Sequence, residues 1–426
     1  MRMYQVGFGD CFLLSFEYAS ALEDGRSERH ILIDFGSTRR PEEGGDPEEI
    51  ASLIAEHTHG ALDVIVVTHR HKDHLSAFGS ATPSAAIDAL HPKLVVRSWT
   101  EDPSAAPEAT GPTSLGERSH AFVRTLRRAQ GVAASLHEAI GKGRRGLAGQ
   151  LGALAFDQLG NEDAVRRLDA WAATGAGSYV SFGSDSGIGG FVPGITVNVL
   201  GPPTLEQHPD IARQRSEDPE YWMFFQGMLD EVALAPLLER HAEGTPTVGS
   251  EPGEIGPVRW LTERLGRQQL SSYLQIVRIL DDVLNNTSVI LLIRAGSKAM
   301  LFPGDAQIEN WEYALKVAPS CPEILHLLRE TDLYKVGHHG SRNATPRTLF
   351  GLWTEDATRD RPMTAMMSTL SGVHGESEAT RVPRATLVEA LSERMTLHST
   401  EDLPPERAFT EVTTDLSNDG EFQPVD

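Results

Sequence analysis

The run His69-Arg70-His71-Lys72-Asp73-His74 decides how this chain is read. Four potential metal ligands stand within six residues. Imidazole nitrogen and carboxylate oxygen are the donors of catalytic zinc, and also of iron or manganese. The spacing is neither the i, i+4 of a helix nor a strict i, i+2 of a strand. It suits a loop at a strand end, where side chains turn onto a common centre. The preceding residues supply that strand, because Leu62-Asp63-Val64-Ile65-Val66-Val67-Thr68 is a β-branched run of the buried type. A His-rich solvated loop is the plain alternative. The strand that aims the loop at a sheet edge counts against it, and so do the ligand-like residues that recur later.

Working outward, strand-like runs flank the motif on both sides. Upstream are Cys11 to Phe16 and His30 to Gly36, then a helical pattern from Pro47 to His57 with Ile50, Leu53 and Ile54 on one face. Downstream, strands are expected around Leu94-Val95-Val96, Tyr179 to Phe182, Ile195 to Leu200, Ser288 to Ile293, Lys298 to Phe302, Leu333 to Val336 and Met363 to Thr369. Helices are expected over about 307–317 and 384–394, with further strands at Met395 to Thr400 and Phe409 to Thr414. The chain therefore reads as α/β. Residues 1–100 and 286–426 form two halves of one domain, and 101–285 is an insertion, partly helical with some core strands. The insertion carries the cluster Tyr221-Trp222-Met223-Phe224-Phe225, which suits core, a homodimer surface or a roof over a site.

Composition sets bounds. The chain has 426 residues, 40% hydrophobic and 23% charged, the balance of a globular protein. No stretch approaches the ~20 apolar residues of a membrane helix, and no signal-peptide pattern opens the chain, so a cytoplasmic protein is expected. Cys11 and Cys321 make no disulfide framework and read as buried free thiols. The net charge of −22 argues against a broad duplex DNA surface and favours a small or single-stranded anionic substrate.

The central run resembles the histidine–x–histidine–x–aspartate–histidine signature of the metallo-β-lactamase superfamily. Asp34 before Gly36 is similar to that family's first motif, Phe302-Pro303-Gly304-Asp305 to its later glycine–aspartate motif, and His338 or His339 to its last histidine. Finer features resemble the hydrolase domain of DNA-uptake (competence) proteins and related phosphodiesterases. These are Val6-Gly7-Phe8-Gly9-Asp10, Asn285-Asn286-Thr287-Ser288-Val289 and Lys335-Val336-Gly337-His338-His339-Gly340-Ser341, with His374-Gly375 and Pro383 matching more loosely. One departure stands out. The family's third motif supplies another histidine ligand, and none of His91, His120, His137, His208 or His241 sits at a strand end in a small-residue turn.

The resemblance implies a four-layer αββα sandwich with a largely helical insertion, holding one or two Zn2+ ions, with Mn2+ or iron as alternatives. It implies His69, His71 and Asp305 on one ion, and Asp73, His74, Asp305 and one of His338 and His339 on the other. Two ions would clamp the scissile group and make hydroxide available at neutral pH. Asp73 would orient the attacking water. The spare histidine of the pair, or His374, would protonate the leaving group or stabilise developing charge. Asp10 reads as fixing a ligand or the signature loop, and Asp34 as structural. Ser341 could hold a phosphate oxygen or form a plain turn. Lys335, Arg381 and Arg384 could meet an anionic substrate or be solvated charges. The expected activity is hydrolysis of a phosphodiester. The alternatives are hydrolysis of a carboxyl ester, lactone, thioester or β-lactam, iron-dependent redox chemistry, and a metal-stabilised interaction module without turnover.

Overall fold

The structure, a computed structural model, describes residues 1–102, 161–212, 218–220, 283–343, 345–354, 363–373, 381–404, 406–418 and 420–425. His120, His137, the Tyr221–Phe225 cluster, His241 and His374 lie outside the described residues.

Two mixed sheets with helices around them make an α/β fold. The first sheet holds β1 (Arg2–Tyr4), β2 (Cys11–Glu17), β3 (Glu28–Phe35), β4 (Val64–Val66), β5 (Leu94–Ser98) and β6 (Ala176–Val180). The late strands β13 (Phe409–Thr413) and β14 (Gln423–Val425) extend it beyond β1, giving the order β14-β13-β1-β2-β3-β4-β5-β6. The second sheet holds β7 (Ile195–Gly201), β8 (Ile290–Ala295), β9 (Lys298–Phe302), β10 (Leu333–Lys335), β11 (Thr364–Met367) and β12 (Thr396–Ser399), in the order β12-β11-β10-β9-β8-β7. Strands β3 to β6 run parallel to one another, and so do β9 to β12. The described part of 101–285 therefore places an edge strand in each sheet.

Side-chain alternation explains the layering. In β3, Ile31 and Ile33 join one apolar cluster and Leu32 another. In β9, Met300 and Phe302 face one way and Ala299 and Leu301 the other. Successive strand residues point to opposite faces, so each sheet presents two apolar surfaces. One cluster joins residues of both sheets. A second packs the first sheet against α1 (Pro47–His57), α2 (Lys72–Gly79), α3 (Ala81–Asp88) and α4 (Glu162–Thr174). A third packs the second sheet against α5 (Ile308–Glu312), α6 (Cys321–Arg329), α7 (Arg347–Thr354) and α8 (Ala385–Arg394). Local signals support these helices. Asp46 caps α1 by accepting from Glu48 N at 3.0 Å, Pro47 takes the first turn, and Glu48 and Glu49 face the positive end of the helix dipole. Among the described residues no helix is long and apolar enough to cross a membrane.

The segments after β3, β4, β9, β10 and β11 all leave the carboxyl ends of parallel strands, where open α/β sheets place their ligands. Phe302 is buried between the sheets, its ring edge-on to Phe12 with centroids 6.3 Å apart. Phe302→Ala is expected to destabilise the protein by about 3–5 kcal/mol, read as a lower urea midpoint with an unchanged slope.

Candidate metal centre

The chain leaves β4 through Val67 and Thr68 into His69, as expected, but the signature is only half loop. His71 is the N-cap residue of α2, and Asp73 and His74 lie in its first turn. A carboxylate there faces the positive end of the helix dipole. Gly36, just past β3, makes this docking possible. A Cβ at Gly36 would lie 2.4 Å from Lys72 O and 2.6 Å from Asp73 C, so no side chain fits where the strand end meets the helix. Gly304 plays the same part in the turn before Asp305. It holds φ +56°, and a Cβ there would lie 2.6 Å from Thr68 Cβ.

Asp73, His74, Asp305 and His339 converge, with one donor atom from each inside 4.8 Å of all the others. His74 Nε2 stands 3.1 Å from Asp305 Oδ2 and 4.0 Å from Asp73 Oδ1. His339 Nε2 stands 3.2 Å from Asp73 Oδ2 and 3.5 Å from Asp305 Oδ2. Donors about 2.0–2.1 Å from a tetrahedral ion are about 3.3 Å from one another. The quartet is spaced like a coordination shell. One orphaned atom supports this fit. His74 Nε2 is buried and has no hydrogen-bond partner, although Asp305 Oδ2 stands 3.1 Å away. Such a pair of atoms is suited to share a cation.

The surroundings fix each donor. Asp34, at the end of β3 with φ 56°, accepts from Thr68 N at 2.8 Å and Thr68 Oγ1 at 2.7 Å. It also accepts from His74 Nδ1 at 2.8 Å, which leaves Nε2 to face Asp305. His339 Nδ1 donates to the Ser368 carbonyl at 2.9 Å, which leaves its Nε2 to face Asp73. An imidazole held through its other nitrogen is how proteins aim a metal ligand. Asp10 is fully buried, ion-paired to Lys335, and 3.6 Å from His74 Nδ1 and from His339 Nδ1. Its backbone N donates to Asp73 O at 2.9 Å, so it holds the α2 turn as well. Both readings of Lys335, as a group that meets substrate and as a solvated charge, are corrected. Lys335 is buried, and its Nζ binds Asp10, Gly304 O at 3.1 Å and Asp305 Oδ1 at 3.4 Å. A charge so buried must be paired, and three acceptors pair it.

His69 and His71 lie beside the quartet. His69 Nε2 is 2.9 Å from His71 Nδ1, and the His69 and His74 rings are 4.1 Å apart. Among the described residues, no third imidazole or carboxylate completes a cluster of the same spacing with this pair, so Asp305 does not close on it. The Asn285 side chain faces His71 instead. The strand end carrying no third-motif histidine is physically filled. A Cβ on Gly201 would lie 2.3 Å from Asn310 Oδ1, and Asn310 Nδ2 is anchored on Ser288 O at 2.8 Å.

Of the histidine pair, His339 enters the quartet and His338 stands beside it. Both hold left-handed backbone, at φ 51° and 42°. His338 is half-buried, and its Nδ1 has no hydrogen-bond partner. Ser341 is committed within its turn, its N donating to His338 O at 2.9 Å and its Oγ to Asn343 Oδ1 at 2.8 Å. Arg384 is buried, with its N on Gly340 O at 2.8 Å, and Arg381 is exposed. Cys11 is buried as expected, whereas Cys321 is half-buried with Sγ on Leu315 O at 2.9 Å. Sequence reasoning missed Thr68, Ser368 and Phe8, whose ring lies 4.4 Å from that of His339. Thr68 had a signal, its place directly before His69. Ser368 had none.

Electrostatics divide the imidazoles. Burial opposes protonation of His74, but Asp305, Asp34 and Asp73 outweigh it and raise its pKa well above the usual histidine range. His339 is likewise raised, burial being outweighed by Asp305, Asp10 and Asp73. Burial dominates for His69 and His71, which are lowered, and holds His338 at about 4. Burial pushes the Asp73 and Asp305 carboxyls up, but the facing imidazoles prevail and hold both low. The carboxylates thus favour protons on His74 and His339, which an entering cation would have to displace. Zn2+ binding is expected to release protons and to weaken as pH falls, measured by titration calorimetry in buffers of different ionisation enthalpy. Asp34→Asn, which leaves His74 less firmly aimed, is expected to weaken Zn2+ affinity by about 10–100-fold in the same measurement.

Comparison with known proteins does not add to this geometry: no protein-family model matches the chain, and no curated protein matches it.

Proposed function

We propose that this protein is a metal-dependent hydrolase with the αββα architecture of the metallo-β-lactamase superfamily, acting on a phosphodiester of a nucleotide or nucleic-acid-like substrate. The observation that carries the reading is the convergence of Asp73, His74, Asp305 and His339 inside 4.8 Å, although His339 and Asp73 are 266 residues apart in sequence. Two sheets, each backed by helices, and a site at the carboxyl ends of their parallel strands support the same reading.

A divalent ion held here, zinc by the donor set, would act as a Lewis acid on the substrate and lower the pKa of a coordinated water toward ~7. The protein's own groups do the rest. His74 and His339, fully buried, and Asp305, 1% exposed, form the floor of the site. The Asp73 side chain is 12% exposed, so among the four it faces solvent most and is placed to orient the attacking water. His338 borders that opening and offers a ring N–H to charge that develops on the leaving group or the reacting centre. Asp10 and Lys335 keep the floor from shifting as charge moves, because each binds two or more of the groups that surround it. The phosphodiester is preferred over a carboxyl ester because the segments resembling phosphodiesterases, Gly7 to Asp10, Asn285 to Val289 and Lys335 to Ser341, all border this centre. Val289 N, for example, donates to Thr68 O at 2.8 Å.

Zinc- or manganese-loaded protein is expected to hydrolyse bis-p-nitrophenyl phosphate in preference to p-nitrophenyl acetate and a chromogenic β-lactam. Activity confined to the last two would remove the phosphodiester reading. Asp73→Ala is expected to lower kcat by at least about 100-fold, and wild-type turnover in that variant would rule out the role given to Asp73.

A further inference from the structure

At the opposite end of β3 from Asp34, three more donors meet. We propose that Glu28, His30 and His59 form a second cation site, which takes a divalent transition metal, zinc by its ligand set. Glu28 and His30 are two apart on one strand, so their side chains share a face. His59 reaches that face from the turn that ends α1, where it holds φ 49°. One donor atom from each lies within 4.8 Å of the others. Glu28 Oε2 is 3.0 Å from His59 Nδ1 and 3.3 Å from His30 Nε2. Donors on tetrahedral zinc stand about 3.3 Å apart, so an ion seats here with small movements of exposed atoms.

The ligands are unequal in a way that suits a cation. His30 is 1% exposed, and its Nδ1 pairs with Ser15 Oγ at 3.0 Å, which fixes Nε2 toward Glu28. This is the arrangement that orients a metal-bound imidazole. Glu28 and His59 have side chains 31% and 74% exposed, which leaves room for water as a fourth ligand and a path for the ion. The basic groups nearby do not take the Glu28 carboxylate. Arg26, Arg29 and Lys93 are bound to Asp24 and Asp63. Two imidazoles and one carboxylate form a zinc-type donor set. Because β3 rises about 3.3 Å per residue, the site lies more than ~10 Å from Asp34 and is separate from the quartet. An ion here would clamp the end of α1 onto the first sheet, a structural rather than catalytic role.

The test uses the full chain and Zn2+ as the probe. Metal-free protein is titrated by calorimetry, bound metal is counted after gel filtration, and melting is followed with and without Zn2+. His59 is exposed, so His59→Ala is expected to keep the metal-free melting temperature. It is expected to bind one equivalent fewer, or to bind it at least about 10–100-fold more weakly, and to lose part of the zinc-induced rise in melting temperature. Glu28→Gln is expected to do the same. If either variant matches the parent in equivalents, affinity and melting, Glu28 and the two imidazoles are only hydrogen-bonded and the site does not exist. Failure of the catalytic reading would remove equivalents from parent and variants alike, leaving the difference between them intact.

Discussion

Four carboxylates, those of Asp10, Asp34, Asp73 and Asp305, are buried together where the two sheets' strands end. Like charges in a low dielectric repel, and each must find a compensating partner. Lys335 answers Asp10 and Asp305, and His74 answers Asp34 and Asp305. His339 answers Asp73. The rest of the site follows from this balance. Threonine and backbone N–H groups satisfy Asp34, the α2 turn presents Asp73, and the imidazoles divide into those whose pKa the carboxylates raise and those whose pKa burial lowers.

The backbone is shaped to the same end. Among the described non-glycine residues with positive φ, Asp34, His338 and His339 all border the quartet. A left-handed residue that is not glycine costs about 1–3 kcal/mol and persists where its surroundings over-determine it. At Asp34 the surroundings are Thr68 and His74. At His339 they are Ser368 and the Phe8 ring. Strain concentrated in this way turns both histidines of the pair inward, one into the floor and one beside the opening.

The central strands were legible because alternation and β-branching write buried strands plainly. Lys298–Phe302 and Ile195–Gly201 fall where apolar runs predict them. Helices α3, α6 and α7 were not, since short helices on an outer face carry few periodic positions, although Pro322 in the first turn of α6 was a usable sign. The candidate ligand residues were visible as residue types. Their grouping was not, because which histidine of His338 and His339 turns inward depends on two backbone torsions and on Ser368, which lies on another strand's end. Lys335 misled for a similar reason: a lysine beside a glycine-rich turn reads as solvated, and only the packing of two sheets shows it enclosed by carboxylates.

The quartet has a temporal consequence. Its members come from segments made early and late, 266 residues separating Asp73 from His339. A ribosome adding roughly 5–20 residues per second needs about 10–50 s to bridge that interval. During that time Asp34, Asp73 and His74 already exist without Asp305, Lys335 or His339, so the nascent first sheet carries unbalanced charge that resists close packing. A cation captured then would meet an incomplete shell and exchange freely. At the proposed metal centre, tight retention would await the second sheet, so selectivity among metals would be exercised by the finished protein rather than by the order in which its candidate ligands emerge.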